Sequence, residues 1–301
     1  MLNIVSTLTS TQKGRHRYAL ILMILSMLAF PTLDAVAKML MEQGYALLHV
    51  AGARFFFQSL FILGLFIYSR HDLTRIFTHL VPAKIYMTLS NVALTLGFYM
   101  ALQHTSVSIA LAVLFTSPII TLIFSHFILN ERITTAHIVA CLIGFIGTML
   151  IIRPGTDSFN SGALFALIAA CGWTGMNITS RIYGENLNAK ETQCFSGIVS
   201  TAIYIIGYYA LTDSTNLFVA NTQFWMLAIF IGVTSAVLYI SIQVAHTYAP
   251  ASTLAPFQYM EMIAGLILDY ILWYTTPDFY SWIGINVIII SGLLAGRSRT
   301  K

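Results

Sequence analysis

Ten runs of about twenty mainly apolar residues follow one another along the chain, at about 18–38, 46–69, 84–103, 106–129, 134–152, 162–181, 192–211, 222–243, 249–272 and 280–296. Roughly 20 helical residues cross a hydrocarbon layer about 30 Å thick, where every backbone polar group must be satisfied within the chain. The runs lack the alternation that short barrel strands need. Only His104-Thr105-Ser106 separates the third run from the fourth, so nine or eleven spans are the neighbouring solutions. Composition agrees, with 57% of the 301 residues hydrophobic and 9% charged. A soluble domain carries about 25% charge, so a soluble enzyme is the wrong class. A net charge of +4 is too small for a nucleic-acid surface. The first run is too long for a cleaved signal and contains Asp34 and Lys38.

Charge placement sets an expected orientation. With ten spans and the N-terminus in the cytoplasm, the cytoplasmic segments hold Lys13, Arg15, Arg17, Arg70, Arg75, Lys84, Arg132, Arg181, Lys190, Arg297, Arg299 and Lys301. That is twelve of the fifteen basic residues; Lys38, Arg54 and Arg153 are the other three. Such a bias predicts cytoplasmic ends and an even number of spans.

The chain also resembles itself. At an offset of 143, residues 18–42 align with 161–185, setting Asp34 on Asn177, Lys38 on Arg181 and Glu42 on Glu185. The segment around Ser117-Pro118 resembles that around Ala255-Pro256. The expected fold is an all-α integral membrane protein of ten helices in two repeats, 18–152 and 161–296. Five helices per repeat make the second enter from the opposite side, and inverted repeats of this kind frame the central cavity of secondary transporters.

Charges at membrane depth are costly and mark partners or watery cavities. Asp34 and Lys38 stand four apart on one helical face, where they can form an ion pair or line a cavity. Arg54 can complete a network with Asp34 or hold an anionic part of a solute, its planar donors matching a carboxylate. Glu261 has no basic neighbour in sequence. It needs a partner from another helix, a proton, or a substrate. Pro118 and Pro256 each remove an N–H and loosen a helix, either as packing kinks or at a binding site. Tyr99, Trp173, Tyr239 and Tyr259 can wall a cavity for a flat organic solute or serve packing, and Gly144 and Gly147 permit close helix contact. The eight histidines are scattered, and Cys141, Cys171 and Cys194 lack metal-ligand spacing, so no metal site is expected. No phosphate loop or His-Glu-x-x-His motif occurs. A carrier built this way draws on an ion gradient, protons for example, or on the gradient of its solute. The rival class is an integral-membrane lipid or isoprenoid enzyme, which needs a polar cluster at one interface that these charges do not supply.

Nearly the whole chain, about 18–296, resembles paired EamA domains of the drug/metabolite transporter superfamily. The resemblance lies in Ser117-Pro118-Ile119-Ile120, Leu129-Asn130-Glu131-Arg132-Ile133-Thr134, Gly144-Phe145-Ile146-Gly147 and Ile152-Arg153-Pro154-Gly155, and in Ala255-Pro256-Phe257-Gln258-Tyr259-Met260-Glu261. Asn130 stands where that family usually has glycine. The resemblance implies a multi-pass carrier in a bacterial inner membrane, moving a small organic solute without a cofactor. Glu131 would anchor a helix pair at its cytoplasmic end. Phe55-Phe56-Phe57 after Arg54, with the 255–261 motif, is more similar to the riboflavin and S-adenosylmethionine uptake subgroup than to the amino-acid exporters; an exporter of amino acids, nucleosides or drugs with the same fold is the alternative.

Overall fold

The computed structural model describes residues 12–70, 72–105, 107–153, 161–211, 221–274 and 276–297. His71, Ser106, Pro154, Gly155, Arg299 and Lys301 lie outside the described residues, as do the side chains of Lys13, Asp269 and Arg297. The described chain is helical throughout: α1 (Gln12–Ala29), α2 (Pro31–Glu42), α3 (Leu47–Tyr68), α4 (Arg75–Thr78), α5 (Val81–His104), α6 (Val107–Leu114), α7 (Ser117–Leu129), α8 (Thr135–Ile152), α9 (Ser161–Tyr183), α10 (Ala189–Leu211), α11 (Thr222–Tyr248), α12 (Ala251–Leu254), α13 (Met260–Trp273) and α14 (Phe279–Arg297). Two 3-10 turns, Gly184–Asn186 and Ala255–Tyr259, complete it.

Among the described residues, eight helical stretches are long and apolar enough to cross a membrane. Ten were expected. The third run became α5, which buries Lys84, Ser90, Asn91 and Thr95 and is correspondingly less apolar. The ninth became α12, a 3-10 turn and α13, whose 14 residues extend only about 21 Å at 1.5 Å per residue.

Prolines produce three breaks. Pro31 has no N–H, so α1 ends and α2 restarts, with Leu33 N–H donating to Phe30 O at 2.9 Å. The same happens between α6 and α7 before Pro118, where Thr116 Oγ1 donates to Val113 O at 2.6 Å. Pro256 sits in the 3-10 turn between α12 and α13.

The packing is pseudo-symmetric. The α5–α9 contact corresponds to α1–α11, while α3 pairs with α10 and α8 with α14. Glycines let α5 and α9 touch backbone to backbone. A Cβ on Gly172 would lie 2.5 Å from Ser90 O, and one on Gly97 2.7 Å from Phe165 O. In α8, a Cβ on Gly144 would strike the Tyr259 ring, and one on Gly147 would lie 3.0 Å from Gly284 O in α14. Small residues at helix interfaces are the usual means of close packing in lipid, where apolar contact alone favours neither partner nor solvent. Gly172→Ala should therefore destabilise the protein by about 1–3 kcal/mol, because a rigid carbonyl cannot yield as a side chain would. A lowered unfolding midpoint in detergent is the expected result, and an unchanged one would mean that α5 and α9 can separate freely.

Polar contacts gather at the two ends of the bundle. At one end Arg15 pairs with Glu185 at 3.0 Å, and Lys84 meets Glu191 at 3.4 Å with both side chains fully buried. Lys84 Nζ also donates to Arg75 O at 2.7 Å and Ile76 O at 3.1 Å, tying α4 to the head of α10. This end is called the basic face below. At the opposite end Arg153 pairs with Asp278, and the Arg153 guanidinium lies 5.0 Å from the Tyr280 ring centroid. Asp278 caps α14, accepting from Ser281 Oγ at 2.7 Å and Ser281 N at 3.0 Å. Those bonds, with Arg153, hold its carboxyl down at about 2.

Candidate functional site

The three proline breaks converge on one cavity. Its inner chamber spans about 610 Å³ of non-atom space, part of it open to solvent. Phe30 and Asp34 reach it from the α1–α2 break, Phe115 and Ser117 from the α6–α7 break, and Gln258 and Glu261 from the 3-10 turn and α13. Unbroken helices supply the remainder: Arg54 from α3, Thr95 and Tyr99 from α5, Trp173 from α9 and Tyr239 from α11. An interrupted helix points side chains and freed backbone groups inward, where protein or a cavity can satisfy them, and membrane carriers place binding sites at such interruptions.

A second space, about 1090 Å³ with the open solvent at its mouth, adjoins the chamber and shares Asp34, Phe98, Tyr99, Phe115 and Glu261 with it. This vestibule is bordered by Lys38 and Met41 near the end of α2 and by Leu268 in α13, which places it away from the basic face. Asp34 and Glu261 thus stand at the junction of the two spaces, and Arg54 stands in the inner one.

Arg54 is 92% buried, being only 8% exposed. Its guanidinium lies over the Phe55 ring at 5.0 Å and the Tyr239 ring at 5.2 Å. It interacts with the phenols of Tyr99 and Tyr239 and with Asp34, yet Nε and Nη2 have no hydrogen-bond acceptor. Gln258 accepts from Trp173 Nε1 at 2.8 Å, leaving its own Nε2 without an acceptor. Phe30, Trp173 and Tyr239 form an edge-on cluster, with centroids 5.3, 5.7 and 6.2 Å apart. Behind that cluster, toward the basic face, lies a narrow gap bordered by Asn177, Ser180 and Gln243.

The sequence-selected residues divide accordingly. Asp34, Arg54, Tyr99, Trp173, Tyr239 and Glu261 meet on the chamber, and Lys38 lies on the vestibule. Lys38 does not pair with Asp34: it turns one helical step on to Glu42, at 3.9 Å. Asn177 borders the narrow gap. Tyr259 is absent from the wall of all three spaces and packs instead against Gly144 and Phe115, its ring 6.2 Å from that of Phe115. The 3-10 geometry of 255–259 shifts Tyr259 off the phase an α-helix would give it. Pro118 and Pro256 are buried at two of the breaks. Phe30 and Gln258 escaped sequence reasoning, although Phe30 immediately precedes a proline within an apolar run.

On the basic face, Glu131 holds several partners at once. It accepts from Ser252 Oγ at 2.7 Å, Ser252 N at 3.0 Å, Ala251 N at 3.1 Å and Arg181 Nε at 3.1 Å. The carboxylate therefore caps α12, and Arg181 continues to Thr247 O at 3.2 Å. A ladder of buried amides lies above, with Gln58 Nε2 donating to Gln193 O and Gln193 Nε2 to Gln243 Oε1, both at 3.2 Å. Among the described residues, no group of three His, Cys, Asp or Glu is placed to hold a metal ion.

The chain can now be set beside known proteins. It is 24% identical to an S-adenosylmethionine uptake transporter of Rickettsia bellii over 282 residues, covering 92% of this chain and 93% of that one. It is 26% identical to a riboflavin transporter of Brucella anthropi over 206 residues, covering 66% and 72%. A riboflavin transporter of Vibrio cholerae is 28% identical over 192 residues, 64% of this chain and 63% of that one. A solved crystal structure superposes with a TM-score of 0.80 over 92% of this chain and 96% of that one, at 16% identity, which speaks for the fold alone. The model of the EamA-like transporter family matches residues 17–153 and again 160–297. By that double match, the protein belongs to the EamA-like transporter family, whose members move small organic solutes across membranes.

Proposed function

We propose that the protein is a secondary transporter that takes up a vitamin- or cofactor-class solute, such as riboflavin or S-adenosylmethionine, across a bacterial inner membrane. Ten spans in two inverted sets of five, with both ends cytoplasmic, rock about the central chamber. The carrying observation is that chamber: Asp34 and Arg54 from the first half face Trp173, Tyr239 and Glu261 from the second across three interrupted helices. A charged cavity at the seam of two repeats is where alternating access needs its solute. The names of the relatives support the solute class. Energy comes from a coupling ion such as the proton, or from the solute gradient. The test is uptake of radiolabelled S-adenosylmethionine, riboflavin, nucleosides and amino acids by proteoliposomes holding the purified chain. Saturable flux of a vitamin or cofactor supports the reading, and flux of amino acids or nucleosides alone overturns it.

In this state the chamber communicates with the vestibule while the basic face is held shut around Glu131. Release on the basic side requires that contact to open. Glu131→Ala should raise the alkylation rate of a cysteine placed at Ser180 at least tenfold, in a Cys171→Ser background that removes the exposed native thiol. An unchanged rate would mean that Glu131 only fastens α12 and does not control access.

A further inference from the structure

The chamber and vestibule differ in the sign of what they offer a solute. Deep in the chamber the groups left over are donors: Arg54 Nε and Nη2 and Gln258 Nε2, all buried, none with an acceptor in the protein. A buried guanidinium with two nitrogens left without an acceptor is costly to maintain, and a ligand acceptor is the group that would satisfy it. At the junction the groups are two carboxylates, Asp34 and Glu261, which interact with each other electrostatically. No ion pair joins either to Arg54 or to another base among the described residues. In the chamber, one cation and two acids leave one negative charge in excess when both acids are ionised, and the vestibule's Lys38 is paired with Glu42.

We infer that the solute is an amphoteric organic cation, bound in one orientation. Its anionic group, of carboxylate size, sits on Arg54 and Gln258. Its positive centre sits between Asp34 and Glu261 at the vestibule side. A flat or apolar body lies against Phe30, Trp173 and Tyr239. This rests on the transporter reading above and chooses within it: a neutral flavin can offer carbonyl acceptors to Arg54 and Gln258 but no positive centre to Asp34 and Glu261, whereas a solute with one carboxylate and excess positive charge satisfies both ends. The planar Arg54 fork supplies selectivity for the anion, and the two acids exclude solutes of net negative charge.

The experiment is competition against labelled S-adenosylmethionine in proteoliposomes, with S-adenosylhomocysteine, decarboxylated S-adenosylmethionine and riboflavin as competitors, and labelled riboflavin as a second transported solute. Loss of the sulfonium charge should weaken competition at least tenfold, loss of the carboxylate should do the same, and riboflavin should not compete. Arg54→Gln should abolish the preference for the carboxylate-bearing form while leaving the preference for the sulfonium. Should that variant fail to insert, the wild-type series alone decides. Riboflavin flux without flux of S-adenosylmethionine overturns the inference and leaves the transporter reading standing. Absence of flux for every solute in both panels overturns both.

Discussion

Glu191→Ala is expected to lower stability by about 3–5 kcal/mol, because it strips one partner from a buried ion pair and leaves the other charged in a dry site. Lys84 and Glu191 are both fully buried and lie at 3.4 Å, and Arg75 Nε approaches the same carboxylate at 3.6 Å. Lys84 has two backbone carbonyls besides, so its ammonium would stay solvated by protein but lose its counter-charge. The double change Lys84→Met with Glu191→Met should restore much of the loss, since two apolar groups leave no stranded charge. Thermal unfolding in detergent, with the monodisperse fraction after heating as readout, separates these cases. A Glu191→Ala midpoint equal to wild type would show that water reaches this pair.

The second large effect concerns Glu261. Glu261→Gln keeps the shape of the side chain and removes only its capacity for charge, so correctly inserted protein should be unchanged while uptake falls at least tenfold. That fall corresponds to about 1.4 kcal/mol of lost stabilisation of the transported solute or coupling ion. The reason is position: Glu261 borders both chamber and vestibule, and so does Asp34. Both carboxylates border the two spaces, together with Phe98, Tyr99 and Phe115. Uptake by Glu261→Gln at the wild-type rate across several pH values would remove Glu261 from the mechanism.

Charge scarcity is what made the site legible. In a chain with 9% charged residues, Asp34, Arg54 and Glu261 stood out inside apolar runs, and the structure places all three on one cavity. Aromatics were harder to select. Fifteen tyrosines offer no such contrast: of the aromatics named for a cavity wall, Tyr99, Trp173 and Tyr239 border the chamber, while Tyr259, set by a 3-10 turn, packs beside Gly144 instead. Pro118 and Pro256 were read as loosened helix, while Pro31 passed unnoticed although it makes an equivalent break. Eight described stretches are long and apolar enough to cross a membrane where ten runs were read, because α5 buries polar residues that lower its apolarity and the turn at Pro256 divides the ninth run. Lys84 was assigned to the basic side from its position, but its partner Glu191 lies 107 residues away and only the fold brings them together. The amide ladder from Gln58 to Gln243 was invisible for the same reason, since glutamine carries no charge to mark it.

The most direct measurement is solute protection of a single thiol in the chamber. With Cys171→Ser as background, leaving Cys141 and Cys194 buried, Ser117→Cys puts a reporter beside the α6–α7 break on the chamber wall. A water-soluble maleimide should label it through the vestibule, and the transported solute, at concentrations around its half-saturation for uptake, should slow labelling severalfold. Uptake that proceeds while the labelling rate stays unchanged at saturating solute would contradict the assignment of this chamber as the transport site.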